Sequence, residues 1–342
     1  MRSPQTEWEI DEKEFPRDGT DAEKLAFVLR YAVLAPSGHN TQPWLFRIHG
    51  FSVDVIADRT RGLAVVDPED RELAISCGAA TETLVVALDH FGPGSEVTVQ
   101  PDSGDPDIVA RVTLTGTKAG DSDDRLFSAI TRRRTVRQAF EDEPLPNELL
   151  TAMSVEAQAF NVRLDPFTDP GQRRELAALV AEGDRMQFAD RHFRRELAAW
   201  IHSRRARSRD GISGAAFGMP DVLSPLGSAV VRTFDIGSKA AERDEEIAAG
   251  SPSLIVFSTD TDSPEAWIAT GRALTRVLLH ATAENVRASY LNQPVELPAL
   301  RSRLAGLPGV WAFPQLLMRF GYGPMPEPAV RRPVEDVLLD GR

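Results

Sequence analysis

The sequence predicts an α+β protein of two pseudo-symmetric halves fused in one chain, each a small mixed sheet packed with helices, and two observations carry this. Segments with helical spacing of apolar residues alternate with short strand-like runs along all 342 residues. The second half also repeats the opening of the first. Residues 146–160 align with 22–36 as an amphipathic helix, and Ser263-Pro264-Glu265 mirrors Asp67-Pro68-Glu69 as a helix start. Ile268-Ala269-Thr270-Gly271 then mirrors Ile75-Ser76-Cys77-Gly78. A glycine inside a helix costs about 1 kcal/mol relative to alanine. One at the matched place in both halves therefore implies two buried helices in close approach. Coincidence in an alanine- and glycine-rich chain is the competing account.

Each element has a local cause. Residues 1–19 read as an arm. Thr20 and Glu23 have capping-box spacing, and Leu25, Val28, Leu29 and Ala32 follow at helical intervals until Pro36 ends the run. Residues 44–56 alternate as a strand or hairpin. A helix is expected from Asp67-Pro68 to the break at Gly92-Pro93; it is apolar nearly all round and so should be buried. Residues 97–99 and 108–114 are strand-like, and 116–124 form a polar linker. Residues 254–257 and 315–320 read as core strands. These boundaries give an N-terminal half over 22–117 and a C-terminal half over 122–342. Residues 183–250 have no counterpart in the first half and form an insertion: a charged helix over 185–205, a glycine-rich loop over 211–219, and an unassigned stretch to 250. The loop combines glycine hinges with Phe217 and Met219, which suits a lid over an aromatic ring.

The net charge of −12 argues against nucleic-acid partners and against docking on anionic membranes. No run approaches the ~20 apolar residues that span a bilayer. Residues 1–14 have no apolar core, so no signal peptide is expected. The single cysteine, Cys77, fits a reducing compartment, and the expected location is cytoplasmic. There is no G-x-G-x-x-G, Walker or G-x-S-x-G motif, and the six histidines lack metal-ligand spacing.

Two runs carry chemistry. Ala35-Pro36-Ser37-Gly38-His39-Asn40-Thr41-Gln42-Pro43-Trp44 places a hydroxyl, a glycine and two carboxamides at a helix end, which suits the polar edge of a heterocycle. A helix stop followed by a turn explains each residue singly but not their combination. Arg132-Arg133-Arg134-Thr135-Val136-Arg137 clusters guanidinium groups around a hydroxyl ahead of the next helix, which suits a phosphate. Arginine clusters alone mean little here, since only four of the 39 basic residues are lysines. Arg331-Arg332-Pro333 is a third candidate anion contact.

The first run resembles the serine–asparagine–glutamine–proline–tryptophan motif of the nitroreductase superfamily, and 133–137 resembles its arginine–arginine–serine motif, with Thr135 keeping the hydroxyl. Residues 313–322 with Arg331-Arg332-Pro333 look like its C-terminal strand and tail. The order and the insertion are most similar to the Acg-type, or twin-nitroreductase, branch, in which one chain imitates the usual homodimer. The resemblance spans about residues 22–340.

It implies bound FMN, with Arg133, Arg134, Thr135 and Arg331 at the phosphate and Arg137 near N1 and O2 of the ring. Ser37, Gly38, Asn40 and Gln42 would meet the pyrimidine edge or the ribityl chain. His39 would either touch FMN or cap the turn. Ser289, Tyr290, Leu291 and Asn292 would lie along the ring. The implied activity is electron transfer from NAD(P)H to a nitroaromatic, a quinone or a related acceptor. The alternative is a protein that sequesters FMN with little turnover. Both readings are compatible with a monomer or a homodimer.

Overall fold

The computed structural model describes residues 6–118, 123–202, 208–213 and 224–339. The capping box forms as expected: Thr20 and Glu23 bond reciprocally at the start of α1 (Asp21–Ala32). A hairpin follows, β1 (Trp44–His49) and β2 (Ser52–Ala57), then α2 (Arg71–Phe91), β3 (Pro93–Val99) and β4 (Ile108–Lys118). The helix α2 starts at Arg71 and not at Asp67-Pro68. Asp67 still caps it, accepting from the Leu73 amide at 2.9 Å, but does so across a turn in which Asp70 is left-handed at φ 57°.

After β4 comes a short helix that the sequence did not announce, α3 (Asp124–Ile130), followed by α4 (Asn147–Gln158) and β5 (Arg163–Phe167). The insertion region holds α5 (Pro170–Ala189), α6 (Arg191–Ala199), the two-residue strands β6 (Ile201–His202) and β7 (Ile212–Ser213), α7 (Ser224–Thr233) and α8 (Gly237–Ala249). The single charged helix expected over 185–205 is thus two helices. Asp190 breaks it, because its carboxylate caps α6 through the His192 amide at 2.8 Å. Arg194 reaches back to the carbonyls of Phe188 and Ala189 at the end of α5. The chain finishes with β8 (Ser253–Thr259), α9 (Pro264–Ala283), β9 (Arg287–Tyr290), α10 (Gln293–Glu296), α11 (Pro298–Ala305), β10 (Phe313–Gly321) and β11 (Leu338–Leu339).

Among the described residues two larger sheets result, in the orders β11-β1-β2-β4-β3 and β5-β8-β10-β9, and β6 pairs with β7 in a small parallel one. In the first, β11 runs parallel to β1, with Phe46 opposite Leu338, and the other pairs are antiparallel. The tail therefore completes the sheet made by the beginning of the chain. In the second sheet the strand pairs are antiparallel, and one parallel bridge, Thr135 to Ala288, attaches the arginine run beside β9.

The helices α2 and α9 lie against each other between the sheets. A Cβ on Gly271 would overlap the Ile75 carbonyl oxygen and come 2.7 Å from the Ala79 nitrogen, while one on Gly78 would overlap the Ile268 carbonyl. The matched glycines mark where the two backbones touch. Glu82, fully buried in α2, accepts from Arg272 at 2.8 Å and Arg276 at 2.7 Å of α9, so the contact is also ionically closed. No helix among the described residues is long and apolar enough to cross a membrane.

Candidate functional site

Beyond α1, Pro36 turns the chain into a loop with three non-glycine residues in the left-handed region: His39 (φ 48°), Asn40 (φ 56°) and Gln42 (φ 53°). Such geometry costs on the order of 1 kcal/mol per residue and persists only where surrounding bonds enforce it. Here they do. The Ser37 hydroxyl accepts from the Gln42 amide at 2.9 Å. The Asn40 amide donates to the carbonyls of Gly211 (3.0 Å) and Val330 (3.2 Å), and its oxygen accepts from Arg331 at 2.9 Å. Gln42 donates to the Arg209 carbonyl at 2.8 Å and accepts from the Arg332 amide at 2.7 Å. Both carboxamides, read from sequence as ligand contacts, are spent on the protein itself. They clasp the C-terminal tail and the 209–211 segment to the loop.

The clasp brings Arg331 to the arginine run. Arg133 and Arg331 are both nearly fully buried, and both donate to the Leu34 carbonyl just past α1, at 3.0 and 3.2 Å. Arg134 donates to the carbonyls of Thr131 and Arg133, each at 2.8 Å. Among the described residues no carboxylate pairs with these three groups, and the Nε atoms of Arg134 and Arg331 are buried without a partner. Burial and then mutual repulsion hold Arg134 down at about 10 and drive Arg331 well below the usual guanidinium range; burial also lowers Arg133. A buried cation without a counter-charge costs several kcal/mol. Three together form a site that asks for an anion.

Tyr290 points its hydroxyl into the same region. That oxygen is buried without a hydrogen-bond partner, and the charges it senses are those of Arg133, Glu72, Arg331 and Arg137, while burial pushes its pKa up to about 12. Arg137 is half-buried with no hydrogen bond to its guanidinium among the described residues; burial and Arg243 lower it, and Asp244 opposes them. His39 is pushed down to about 4 by burial and by Arg137, so its ring is neutral near pH 7. Thr135 contributes backbone to the bridge with Ala288, and its hydroxyl has no partner among the described residues.

The 289–292 segment divides differently from the expectation. Ser289 is buried opposite Arg319 in the sheet. Leu291 packs into an apolar cluster with Leu176, Val256 and Leu317. Asn292 accepts from the Leu317 amide at 3.2 Å and donates to Glu72 at 3.0 Å. Only Tyr290 of the four turns a polar group toward the arginines.

Two residues that belong here were missed. Glu72 lies in the first turn of α2, where a Cβ on Gly38 would stand 3.3 Å from its Oε2. Burial pushes its carboxyl up to about 7, against the pull of Arg71. The signal was an Arg71-Glu72 pair opening an otherwise apolar helix. Trp8 of the arm is the second, since its ring lies against Arg134 and Arg331. Two small cavities flank the convergence, one against Leu34, Pro36 and Arg133 and one against Gly38, Arg61 and Glu72. Each is about 10 Å³ and so sized for one water.

The nitroreductase family model matches residues 130–322. The chain is 31% identical over 306 residues to the "Putative NAD(P)H nitroreductase Rv3131" of Mycobacterium tuberculosis, covering 89% of this chain and 87% of that one. It is 30% identical over 327 residues to the "Putative NAD(P)H nitroreductase acg" of the same species, covering 93% and 96%. The crystal structure of the FMN-dependent nitroreductase NfnB from Mycobacterium smegmatis in complex with NADPH matches over 65% of this chain and 100% of that one, with a TM-score of 0.38 and 17% identity. By the family match and the two relatives, this chain belongs to the nitroreductase family.

Proposed function

We propose that the protein is an FMN-dependent oxidoreductase that takes electrons from NAD(P)H and delivers them to a nitroaromatic, a quinone or a related small acceptor. The carrying observation is the cluster of buried Arg133 and Arg331 with half-buried Arg134, which has no carboxylate partner among the described residues and leaves two Nε donors orphaned beside the orphaned Tyr290 hydroxyl. A terminal phosphate dianion supplies the missing charge and accepts those donors. Bound FMN supplies hydride chemistry that no side chain here can perform. The protein's part is to hold the phosphate with the three arginines and the Thr135 hydroxyl. Arg137, whose guanidinium has no hydrogen bond among the described residues, would stabilise negative charge on the ring. The neutral His39 can bond to the ring or its tether without adding charge.

The two halves, 22–117 and 122–342, share the work: the first supplies the Leu34 carbonyl and the clasping loop, the second the arginines. On this reading each polypeptide binds one FMN without needing a second copy. The two arginines on the α2–α9 contact, Arg272 and Arg276, are paired with Glu82 and Asp89 and so do not call for an anion.

Sequestration of FMN is the second reading, and one feature favours it. Gly211 and Asn40 exchange two hydrogen bonds, and Arg61 pairs with Asp210, so the described beginning of the insertion's loop sits on the polar loop. Residues 214–219 of the expected lid lie outside the described residues. Mixing the FMN-loaded protein with NADH or NADPH without oxygen separates the readings: prompt bleaching of the yellow oxidised flavin supports the oxidoreductase, and a persistent yellow colour supports sequestration.

A further inference from the structure

The N-terminal arm ends on the arginine cluster. Phe15 anchors it, stacked on Phe91 at 4.3 Å and edge-on to Phe27 at 5.5 Å. Glu14 pairs with Arg30 at 2.6 Å, and the Glu12 carboxylate lies 3.2 Å from His90 Nε2. From this anchor the chain carries Trp8 to the site. Its buried ring lies with the Arg134 guanidinium carbon 4.2 Å and that of Arg331 4.9 Å from its centroid. Its indole N–H donates at 2.7 Å to the carbonyl of Ala329, two residues before Arg331. Trp8 therefore joins the arm, the arginine run and the tail.

The choice of partner matters. A carboxylate at this place would neutralise the guanidinium groups and occupy their N–H donors. An indole covers the flat face of a guanidinium with its negative π cloud and leaves the N–H edge free. Such contacts are strongest where water is excluded, as it is here. The Nε atoms of Arg134 and Arg331 do remain without partners. Trp8 thus keeps two buried cations charged and oriented without competing for the anion they await.

We propose that Trp8 is a positioning residue of the phosphate site: stacked on Arg134 and Arg331, it fixes their donor edges, so that the N-terminal arm governs how strongly the phosphate end of FMN is held. This rests on the FMN reading above and adds a residue that the arginine motif does not contain.

The test compares FMN with riboflavin, which has the same ring and ribityl chain and no phosphate. Dissociation constants for both are measured by flavin fluorescence on the parent protein, Trp8→Phe, Trp8→Leu and a form lacking residues 1–9, which keeps Phe15. Trp8→Leu fills space without a π face, and its preference for FMN should fall roughly tenfold or more with riboflavin affinity unchanged. Trp8→Phe retains a ring face and should keep most of the preference, and the truncated form should behave like Trp8→Leu. An unchanged preference in both Trp8→Leu and the truncated form would overturn the proposal. So would riboflavin weakening in step with FMN, because that marks a general loosening. A parent protein with no preference for FMN would instead overturn the phosphate reading itself.

Discussion

Arg133 and Arg331, far apart in the chain, donate to one carbonyl oxygen, that of Leu34, at 3.0 and 3.2 Å. Both arginines are thus located by a single atom just past α1, and either can be removed without orphaning it. Their charges, however, have no counter-ion among the described residues. Replacing Arg133 with methionine should therefore act with opposite signs on two measurements. The apoprotein should gain roughly 1–3 kcal/mol of stability, because an unpaired buried cation is lost. FMN affinity should fall by roughly 2–4 kcal/mol, because a desolvated phosphate contact is lost. Thermal melting of the apoprotein and FMN titration check the pair; an apoprotein destabilised by the change would place a hidden counter-charge at Arg133.

The charge of Arg137 acts on both His39 and Tyr290. A cation near the ring favours the reduced, more negative flavin over the oxidised one. Arg137→Gln should lower the midpoint potential by tens of millivolts with FMN still bound, since ~30 mV corresponds to ~1.4 kcal/mol for a two-electron couple. Spectroelectrochemical titration of the two forms reads this. An unchanged potential would put Arg137 away from the ring.

Glu72 makes the apoprotein's stability depend on pH. Its folded pKa of about 7 lies above the ordinary glutamate value of 4.5, and burial is the first cause. The groups that face it are Arg71, Asp67, Asn292, Arg301 and Glu296, itself raised well above its usual range. A raised carboxyl pKa gives stability that is complete below 4.5 and lost as pH rises through about 7. Glu72→Gln keeps an acceptor for Asn292 and removes that loss. The variant should match the parent at pH 4.5 and exceed it above pH 7 by an amount on the order of 1–3 kcal/mol. Denaturant unfolding across this range checks it, and a variant that only loses stability at high pH would show that Glu72 is held as a carboxylate.

The glycine pair was legible in the sequence, because a glycine inside a buried helix is costly and two at matched positions share one explanation. Gly271→Ala should cost roughly 3 kcal/mol or more, since its methyl group would overlap the Ile75 carbonyl, which is backbone and cannot yield cheaply. A near-neutral melting temperature would mean that α2 and α9 can separate at no cost.

The capping box, the hairpin, the core strands and the convergence of 133–137 with Arg331 were also readable, since each depends on local spacing or a distinctive residue set. The roles of Asn40 and Gln42 were not. A carboxamide in a turn serves a ligand or the protein equally well, and the partners that decide it, Arg331 and Arg332, come from the far end of the chain. Leu291 was misplaced because whether it faces the core or the site depends on where the chain leaves β9. Trp8 gave no signal in an acidic arm, because a cation–π contact is defined only in three dimensions.

The central claim, that buried guanidinium groups complete their charge with the phosphate of FMN, is tested most directly by phosphorus NMR of the loaded protein across pH. A free phosphate monoester loses its second proton near pH ~6. Held among Arg133, Arg134 and Arg331 the phosphate should stay dianionic, and its resonance should not move between pH 5 and 8. A resonance that titrates as it does in free FMN would contradict the account, since it would place the phosphate in water and leave the arginines waiting for something else.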